Sequence, residues 1–156
     1  MRSVNILASL LCGLLLLAVA PNILGHCQIP CGIYDDPARF TEMREHVATI
    51  EKSMNQIVAL GEAKHKDWNQ TVRWVMNKEE HADKLAHLAT YYFMAQRIKS
   101  PHSDAGDAEK QKYAMQISLL HRILVESMKA KQSADLERVK TIRGLIDAFE
   151  KSYMGE

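Results

Sequence analysis

Apolar residues recur at spacings of three and four along residues 36–153, and polar or charged residues fill the positions between them. This period is typical of amphipathic α-helices, and no stretch alternates with the period of two that half-buried strands show. The pattern predicts an all-α fold in which four helices, joined by short links, form an antiparallel up-down four-helix bundle. We interpret the methionines and aromatic residues on the helical seams as core.

The first half of the pattern predicts two helices. Asp36 can cap a helix whose first position is Pro37, and Gly61 favours its end. The seam of this helix comprises Phe40, Met43, Val47, Ile50, Met54 and Ile57. The second helix is predicted from about Asp67 to Arg97. Its inner face would comprise Val72, Val75, Ala82, Leu85, Ala89 and Tyr92.

The second half predicts two more helices after a loop at residues 99–104. The third helix begins near Ala105. Its seam comprises Tyr113, Ile117, Leu120, Leu124 and Met128. A short break follows at Gln132 and Ser133, and Ser133 is predicted to cap the last helix. The last seam comprises Leu136, Val139, Ile142, Ile146, Phe149 and Tyr153.

Residues 1–25 have the features of a secretory signal peptide. Arg2 precedes an apolar run at residues 6–20, which is shorter than the roughly 20 residues that cross a bilayer. We therefore predict that residues 1–25 are a leader removed by a processing protease, and that residues 26–156 form the mature domain. This interpretation predicts export to the periplasm or beyond, with a cytoplasmic protein as the alternative.

The sequence offers more than one cleavage site for this leader. Gly25 is a small residue that suits the position before a cut, and cleavage there would make His26 the N-terminus. Residues 18–20 also form an A-x-A site, but a cut after them would leave five residues ahead of His26. A lipoprotein leader would use Cys12, for which Leu10 and Leu11 make a weak lipobox.

Charge and cysteine content narrow the possible functions. The chain has 20 Lys and Arg against 19 Asp and Glu, which gives no electrostatic case for nucleic acid or an anionic membrane as a partner. No stable membrane insertion is expected after cleavage. Of the three cysteines, Cys12 would leave with the leader. The residues alone leave open whether Cys27 and Cys31 form a disulfide or bind a metal.

Residues 26–34, with the sequence HCQIPCGIY, carry the candidate chemistry. After cleavage at Gly25, one short loop would hold the amine and imidazole of His26, the amide of Cys27 and the thiols of Cys27 and Cys31. Nitrogen and sulfur donors of this kind can hold a transition metal in a planar site. Zinc fits such a site poorly, because it prefers tetrahedral coordination and has no redox chemistry.

The pattern H-C-x-x-P-C-G-x-Y resembles the metal-hook motif of nickel superoxide dismutases, and residues 26–34 contain every fixed position of that motif. Residues 35–39 with Glu42, residues 69–75 and residues 77–82 also resemble this family, so the resemblance covers essentially the whole chain after the leader. It implies an antioxidant oxidoreductase that converts superoxide to oxygen and hydrogen peroxide by cycling Ni(II)/Ni(III), with one nickel ion per chain.

The resemblance also assigns roles within residues 26–34, which we call the hook. It implies that the amine of His26, the amide nitrogen of Cys27 and the sulfurs of Cys27 and Cys31 surround nickel in a square plane. The imidazole of His26 would join as an axial ligand in the oxidised state. Tyr34 would complete the catalytic set as a gate over the open face, and Pro30 would fix the turn of the loop.

Further supporting positions follow from the same resemblance. Glu42 would orient the imidazole of His26, as carboxylates beside metal ligands commonly do. A second gating tyrosine would be Tyr91 or Tyr92, and Tyr92 is preferred. A basic partner on the second helix has three candidates, which are Arg73, Lys78 and His81. Gln28 departs from several family members, which have Asp at that position.

Six further histidines are scattered over the predicted helices, and their spacing does not group them. They are His46, His65, His81, His87, His102 and His121. We interpret them as surface or core residues rather than metal ligands.

The hook has too few contacts of its own to stay ordered, because each ordered residue costs roughly 1–2 kcal/mol of backbone entropy. The resemblance implies that neighbouring subunits of a homohexamer help to hold it. The alternative function, from another class, is a secreted helical bundle that binds a partner or stores metal and carries a Cys27–Cys31 disulfide.

Overall fold

The structure, a computed structural model, describes residues 36–155. Its helices are α1 (Asp36–Glu62), α2 (Trp68–His87), α3 (Asp107–Gln132) and α4 (Leu136–Met154), and a π-helical segment, Leu88–Arg97, continues α2 without a break. Residues 36–155 contain no β-strand. The leader and the hook lie outside the described residues.

The four helices pack as a ring. α1 packs against α2 and α4, and α3 packs against the same two helices. The predicted all-α bundle is therefore confirmed. The predicted seam of α1 is confirmed from Phe40 to Met54, since the side chains of Phe40, Met43, Val47, Ile50 and Met54 are fully buried. The last predicted seam residue, Ile57, is only partly buried.

Aromatic side chains fill the end of the bundle at which α1 begins. The ring of Phe93, in the π-helical segment, lies 5.0 Å from that of Phe40 and 4.9 Å from that of Phe149. Tyr153 of α4 packs on the same group, with its ring 5.6 Å from that of Phe93. Tilted and edge-to-face contacts at these distances are favourable beyond the apolar area that they bury. This end of the bundle is therefore a densely packed aromatic layer.

The opposite end is held by a buried lysine. Lys78 of α2 is 4% exposed, and its ammonium donates to the carbonyl oxygens of Ala130 at 2.9 Å, Lys131 at 2.5 Å and Ser133 at 2.9 Å. These carbonyls belong to the last turn of α3 and to the residue after it, where the helix leaves its acceptors unpaired. Lys78 therefore caps α3 from a neighbouring helix.

The predicted cap of the last helix is wrong. Asp135 caps α4, because its side chain accepts from the backbone N–H of Glu137 at 3.0 Å. Ser133 instead ends α3, and its hydroxyl donates to the carbonyl of Lys129 at 3.4 Å. Two residues thus separate the end of α3 from the residue that caps α4. The local pattern did not distinguish the hydroxyl of Ser133 from the carboxylate of Asp135 as the capping group.

The predicted inner face of α2 is wrong in its first half. Val72 is 55% exposed and Val75 is 37% exposed, although Ala82, Leu85, Ala89 and Tyr92 are buried as predicted. No residue of α1 after Met54, and none of α2 before Lys78, is buried. Lys78 is level with the end of α3, so residues 55–77 project beyond the other two helices. We call this projecting helical hairpin the arm.

The predicted seams of α3 and α4 are partly wrong. Met128 is 52% exposed and Leu136 is 37% exposed. The buried residues of α3 are Gln116, Leu120, Ile123, Ser127 and Ala130. Tyr113, Ile117 and Leu124 are only partly buried, and α3 begins two residues later than predicted. No helix within residues 36–155 is both long enough and apolar enough to cross a membrane.

Candidate functional site

Asp36, the first described residue, lies two positions after Tyr34 and receives three side-chain donors. The hydroxyl of Tyr92 donates to one carboxylate oxygen. Arg97 Nη2 at 2.6 Å and the Tyr153 hydroxyl at 2.8 Å donate to the other. The two carboxylate oxygens thus connect the start of α1 to the π-helical segment and to the last turns of α4.

Arg39 connects this carboxylate site to Glu42. Its Nη1 donates to Glu42 Oε2 at 2.6 Å, and its guanidinium carbon lies 5.3 Å from the centre of the Tyr92 ring. A cation over an aromatic face at this distance is attracted by the ring quadrupole. The structure therefore brings together the two described supporting residues that the sequence singled out, Glu42 and Tyr92. We call the whole group the junction cluster, which comprises Asp36, Arg39, Glu42, Tyr92, Arg97 and Tyr153.

The π-helical segment explains how two of these donors reach one carboxylate. Tyr92 and Arg97 are five residues apart, and in an α-helix such residues point in different directions. A π-helix closes its turns by bonds between residues five apart, so these positions fall on one face. The backbone bond from Ile98 N–H to the Phe93 carbonyl, at 2.9 Å, has this spacing. The sequence pattern predicted a continuous α-helix here and did not reveal the change of period.

The donors also set the charge state of the cluster. Burial alone would raise the pKa of Asp36, but the hydrogen bonds from Arg97, Tyr92 and Tyr153 outweigh it, so the pKa lies below its usual value. Burial and the bond to Asp36 raise the pKa of Tyr92 to about 12. Burial also raises the pKa of Tyr153. Asp36 is therefore an anion at neutral pH, and both phenols remain protonated donors.

A histidine pair lies one helical turn beyond Glu42. His46 Nδ1 and His81 Nδ1 are 3.1 Å apart across the interface of α1 and α2. His46 Nε2 lies 3.9 Å from Glu42 Oε1. A hydrogen bond between two Nδ1 atoms requires that one of them carry no proton, so the pair holds at most one imidazolium without losing the bond. The sequence placed these residues 35 positions apart and did not pair them.

The structure separates the three candidates for a basic partner. Lys78 is committed to the end of α3, as described above. Arg73 is exposed on the arm, beside a pocket lined by Gln70, Trp74 and Asn77. His81 contacts His46, and His46 in turn lies next to Glu42. Of the three candidates, His81 is therefore the one that is connected to Glu42, through His46.

The two candidate gating tyrosines lie in different surroundings. Tyr92 is 2% exposed and belongs to the junction cluster. Tyr91 is 47% exposed and stacks on His87 with ring centres 4.4 Å apart.

An open pocket of about 300 Å³ lies next to Glu42. Its other lining residues are His46, Lys84, His87 and Leu88.

The predicted metal ligands, His26, Cys27 and Cys31, lie outside the described residues, as do Tyr34 and Pro30. Among residues 36–155, no three His, Cys, Asp or Glu side chains are grouped so that they could hold a metal ion. Of the predicted site residues, the structure therefore describes Glu42 and Tyr92.

The described residues form a four-helix bundle, and the sequence before them contains His26, Cys27 and Cys31, a set of donors typical of a helical-bundle metalloprotein. The family model of nickel-containing superoxide dismutases matches residues 21–156, and the chain belongs to that family. It is therefore a superoxide dismutase, an oxidoreductase that uses nickel and acts on superoxide. The searches of curated proteins and of solved structures gave no match.

The histidine pair predicts how the stability of the bundle depends on pH. Burial and the neighbouring His81 lower the pKa of His46, against the opposing charges of Glu42 and Glu45. Burial and Lys84 lower the pKa of His81, and Glu80 opposes them. Because folding favours the neutral imidazoles, their contribution is complete above the unfolded pKa of about 6.5 and is lost as the pH falls through the folded values.

We expect His46→Gln/His81→Gln to make the fall in Tm between about pH 7 and pH 5 shallower than in the wild type. The matched control is His121→Gln, because His121 is exposed. This control should follow the wild-type curve, and Tm measured by circular dichroism at each pH provides the comparison. Parallel curves for the wild type and the double variant would contradict the assignment.

Proposed function

We propose that His26, Cys27 and Cys31 hold one nickel ion per chain, and that this site converts superoxide to oxygen and hydrogen peroxide. The observation that carries the proposal is the complete hook motif in a chain that belongs to this family. When bound, the metal supplies one-electron exchange between Ni(II) and Ni(III).

The donor set of the hook fits nickel. Thiolate sulfur and a deprotonated amide nitrogen push electron density onto the metal, which brings the higher oxidation state within reach. The water ligands of aqueous nickel do not donate electron density in this way.

Glu42 is proposed to orient the imidazole of His26. Its geometry supports this role, because Arg39 holds one of its oxygens at 2.6 Å while its side chain remains 37% exposed. A carboxylate that is fixed on one side and open on the other can accept a hydrogen bond from an imidazole N–H. His81 is proposed as the basic partner, because it contacts His46 and His46 lies next to Glu42.

Tyr34 is proposed as the gate over the open face of the site, with Tyr92 as the second gating phenol. The position of Tyr92 supports a restricted role. Its hydroxyl proton is donated to Asp36, so only its oxygen lone pairs remain available to a water or to another phenol. Pro30 is proposed to shape the turn that returns Cys31 to the metal.

Replacing either thiolate should remove both nickel and activity. We expect the leader-free Cys27→Ser and Cys31→Ser proteins to bind no stoichiometric nickel and to leave superoxide undismuted, because a hydroxyl does not replace a thiolate donor at neutral pH. The matched control is Cys12→Ser in the full-length precursor, which should mature to an active protein. Wild-type activity that survives nickel removal, or that appears only with manganese or iron, would contradict the proposal.

The same preparations distinguish the alternative function. A secreted binding or storage protein with a Cys27–Cys31 disulfide would show no free or metal-bound thiols in a thiol titration. It would also contain no stoichiometric nickel by elemental analysis. Two metal-bound thiolates with one nickel per chain would exclude this alternative.

The N-terminus of the mature protein is proposed to be His26, because its amine is a ligand only when the bond to Gly25 is broken. We expect one extra Gly ahead of His26 to lower activity at least about 100-fold, the upper range for loss of a residue that merely supports a ligand. One extra Gly after Glu156 is the control and should change little. Sequencing of an active mature protein that begins at Pro21 would refute the amine-ligand mechanism.

We further propose that the protein is exported and that a leader peptidase makes this cut. The charged Arg2 followed by the apolar run at residues 6–20 supports export. Cell fractionation measures it directly. If a cytoplasmic pool of the protein begins at His26, the proposed activity and the proposed cleavage site stand. The proposal of export is then replaced by cleavage in the cytoplasm.

The assembly is proposed to be a homohexamer, in which a second copy covers the arm. Trp68, Val72 and Met76 lie at spacings of four along α2 and are 70%, 55% and 65% exposed. Such a stripe is unusual on a free surface. The formal charge of the whole chain is +1, so long-range repulsion between copies is weak.

Two serine substitutions on this stripe test the assembly. We expect Trp68→Ser/Val72→Ser to lower the sedimentation coefficient of the protein, since they remove apolar area that a second copy would bury. Met128→Ser, which changes a residue that is 52% exposed outside the arm, is the control and should sediment as the wild type. A stable, active wild-type monomer at low concentration would exclude the hexamer.

A further inference from the structure

We propose that Asp36 is a positioning residue that fixes the exit of the hook on the bundle, with two of its three donors supplied by the π-helical segment. The inference rests on the proposed function, because the hook is the proposed metal site. It adds a residue that the hook motif does not contain.

Chain connectivity places Asp36 beside the hook. Only Asp35 separates it from Tyr34, and a chain advances by at most about 3.6 Å per residue. The backbone of the proposed gate is therefore within about 7 Å of the backbone of Asp36. A restraint on Asp36 therefore limits the positions that Tyr34 can reach.

The restraint on Asp36 comes from two separate elements. Tyr92 and Arg97 approach from the π-helical segment, and Tyr153 approaches from α4. Arg97 Nε also lies 3.2 Å from the Tyr153 hydroxyl, so two of the donors hold each other. The rings of Tyr92 and Tyr153 pack on the aromatic layer. The carboxylate is thus fixed in direction as well as in place.

An ordinary link between α1 and α4 lacks this connection to the hook. Arg44 of α1 pairs with Asp147 of α4 at 2.8 Å and with Glu150, two turns farther from the hook than Asp36. The same two helices are joined, but no part of this link is near the exit of the hook. Asp147 is 65% exposed, which makes it a suitable residue for comparison.

The experiment compares Asp36→Asn with Asp147→Asn in the nickel-loaded protein. Each change replaces a carboxylate with an amide of the same shape at a contact between α1 and α4. Hydrogen exchange of the backbone N–H groups of residues 28–34, of which Pro30 has none, is the first readout, and the spectrum of the oxidised nickel site is the second. We expect Asp36→Asn to speed exchange there by roughly tenfold and to alter the spectrum, because charge-assisted bonds are lost. Asp147→Asn should leave both unchanged.

Tyr153→Phe keeps the test decisive if Asp36→Asn fails to fold. This change removes one donor and retains the ring in the aromatic layer, so a smaller increase in hook exchange is expected. Equal exchange at residues 28–34 in the wild type, Asp36→Asn and Tyr153→Phe, with a loss of Tm alone, would overturn the inference. Absence of nickel-dependent activity in the wild type would instead overturn the proposed function, while the exchange data would still decide the role of Asp36.

Discussion

A carboxylate that leaves water must replace its hydration with hydrogen-bond donors, and the way in which Asp36 does so joins the parts of this bundle. Its side chain is 15% exposed, and its donors come from positions 56, 61 and 117 residues farther along the chain. These contacts close the ring of helices at one end, above the aromatic layer. They also occur where the chain enters α1, so the donors that replace the hydration of Asp36 lie at the position next to the proposed hook.

The change of helical period belongs to the same constraint. A π-helical turn is less favourable than an α-helical turn and is retained mainly at functional sites. Here it moves Arg97 onto the face that carries Tyr92, and Ala89 and Phe93 remain buried. The segment therefore satisfies the core and the carboxylate together, which one continuous α-helical face could not do. The aromatic layer beneath it resists relaxation, because rings packed at about 5 Å leave little room for a shift in register.

The sequence predicted the architecture from local periodicity but not the extent of each contact. The seam of α1 was right from Phe40 to Met54, because every turn of that stretch faces other helices. Val72 and Val75 continue the same period, yet they are exposed, since a pattern on one helix does not say where its neighbours end.

His46 and His81 share no helical turn, so their contact follows only from the packing of α1 on α2. Asp36 was recognised as a helix start, whereas its three distant donors had no local signature. The hook, in contrast, could be assigned from a short local motif, because the donor atoms of that motif indicate the chemistry without any distant contact.

This contrast suggests why the two halves of the protein are built so differently. A metal site made from a terminal amine, an amide nitrogen and two thiolates uses donors from one short stretch of chain, and ordering that stretch costs backbone entropy that other contacts must offset. A bundle that buries its core in regular seams is rigid, but none of its described residues forms a group that could hold a metal. In the proposal, Asp36 fixes the point at which the hook meets the bundle, while the amine required by the proposed site arises only when the leader is removed. Under this proposal, folding of the bundle and release of the N-terminus are separate events, and the complete donor set exists only after both have occurred.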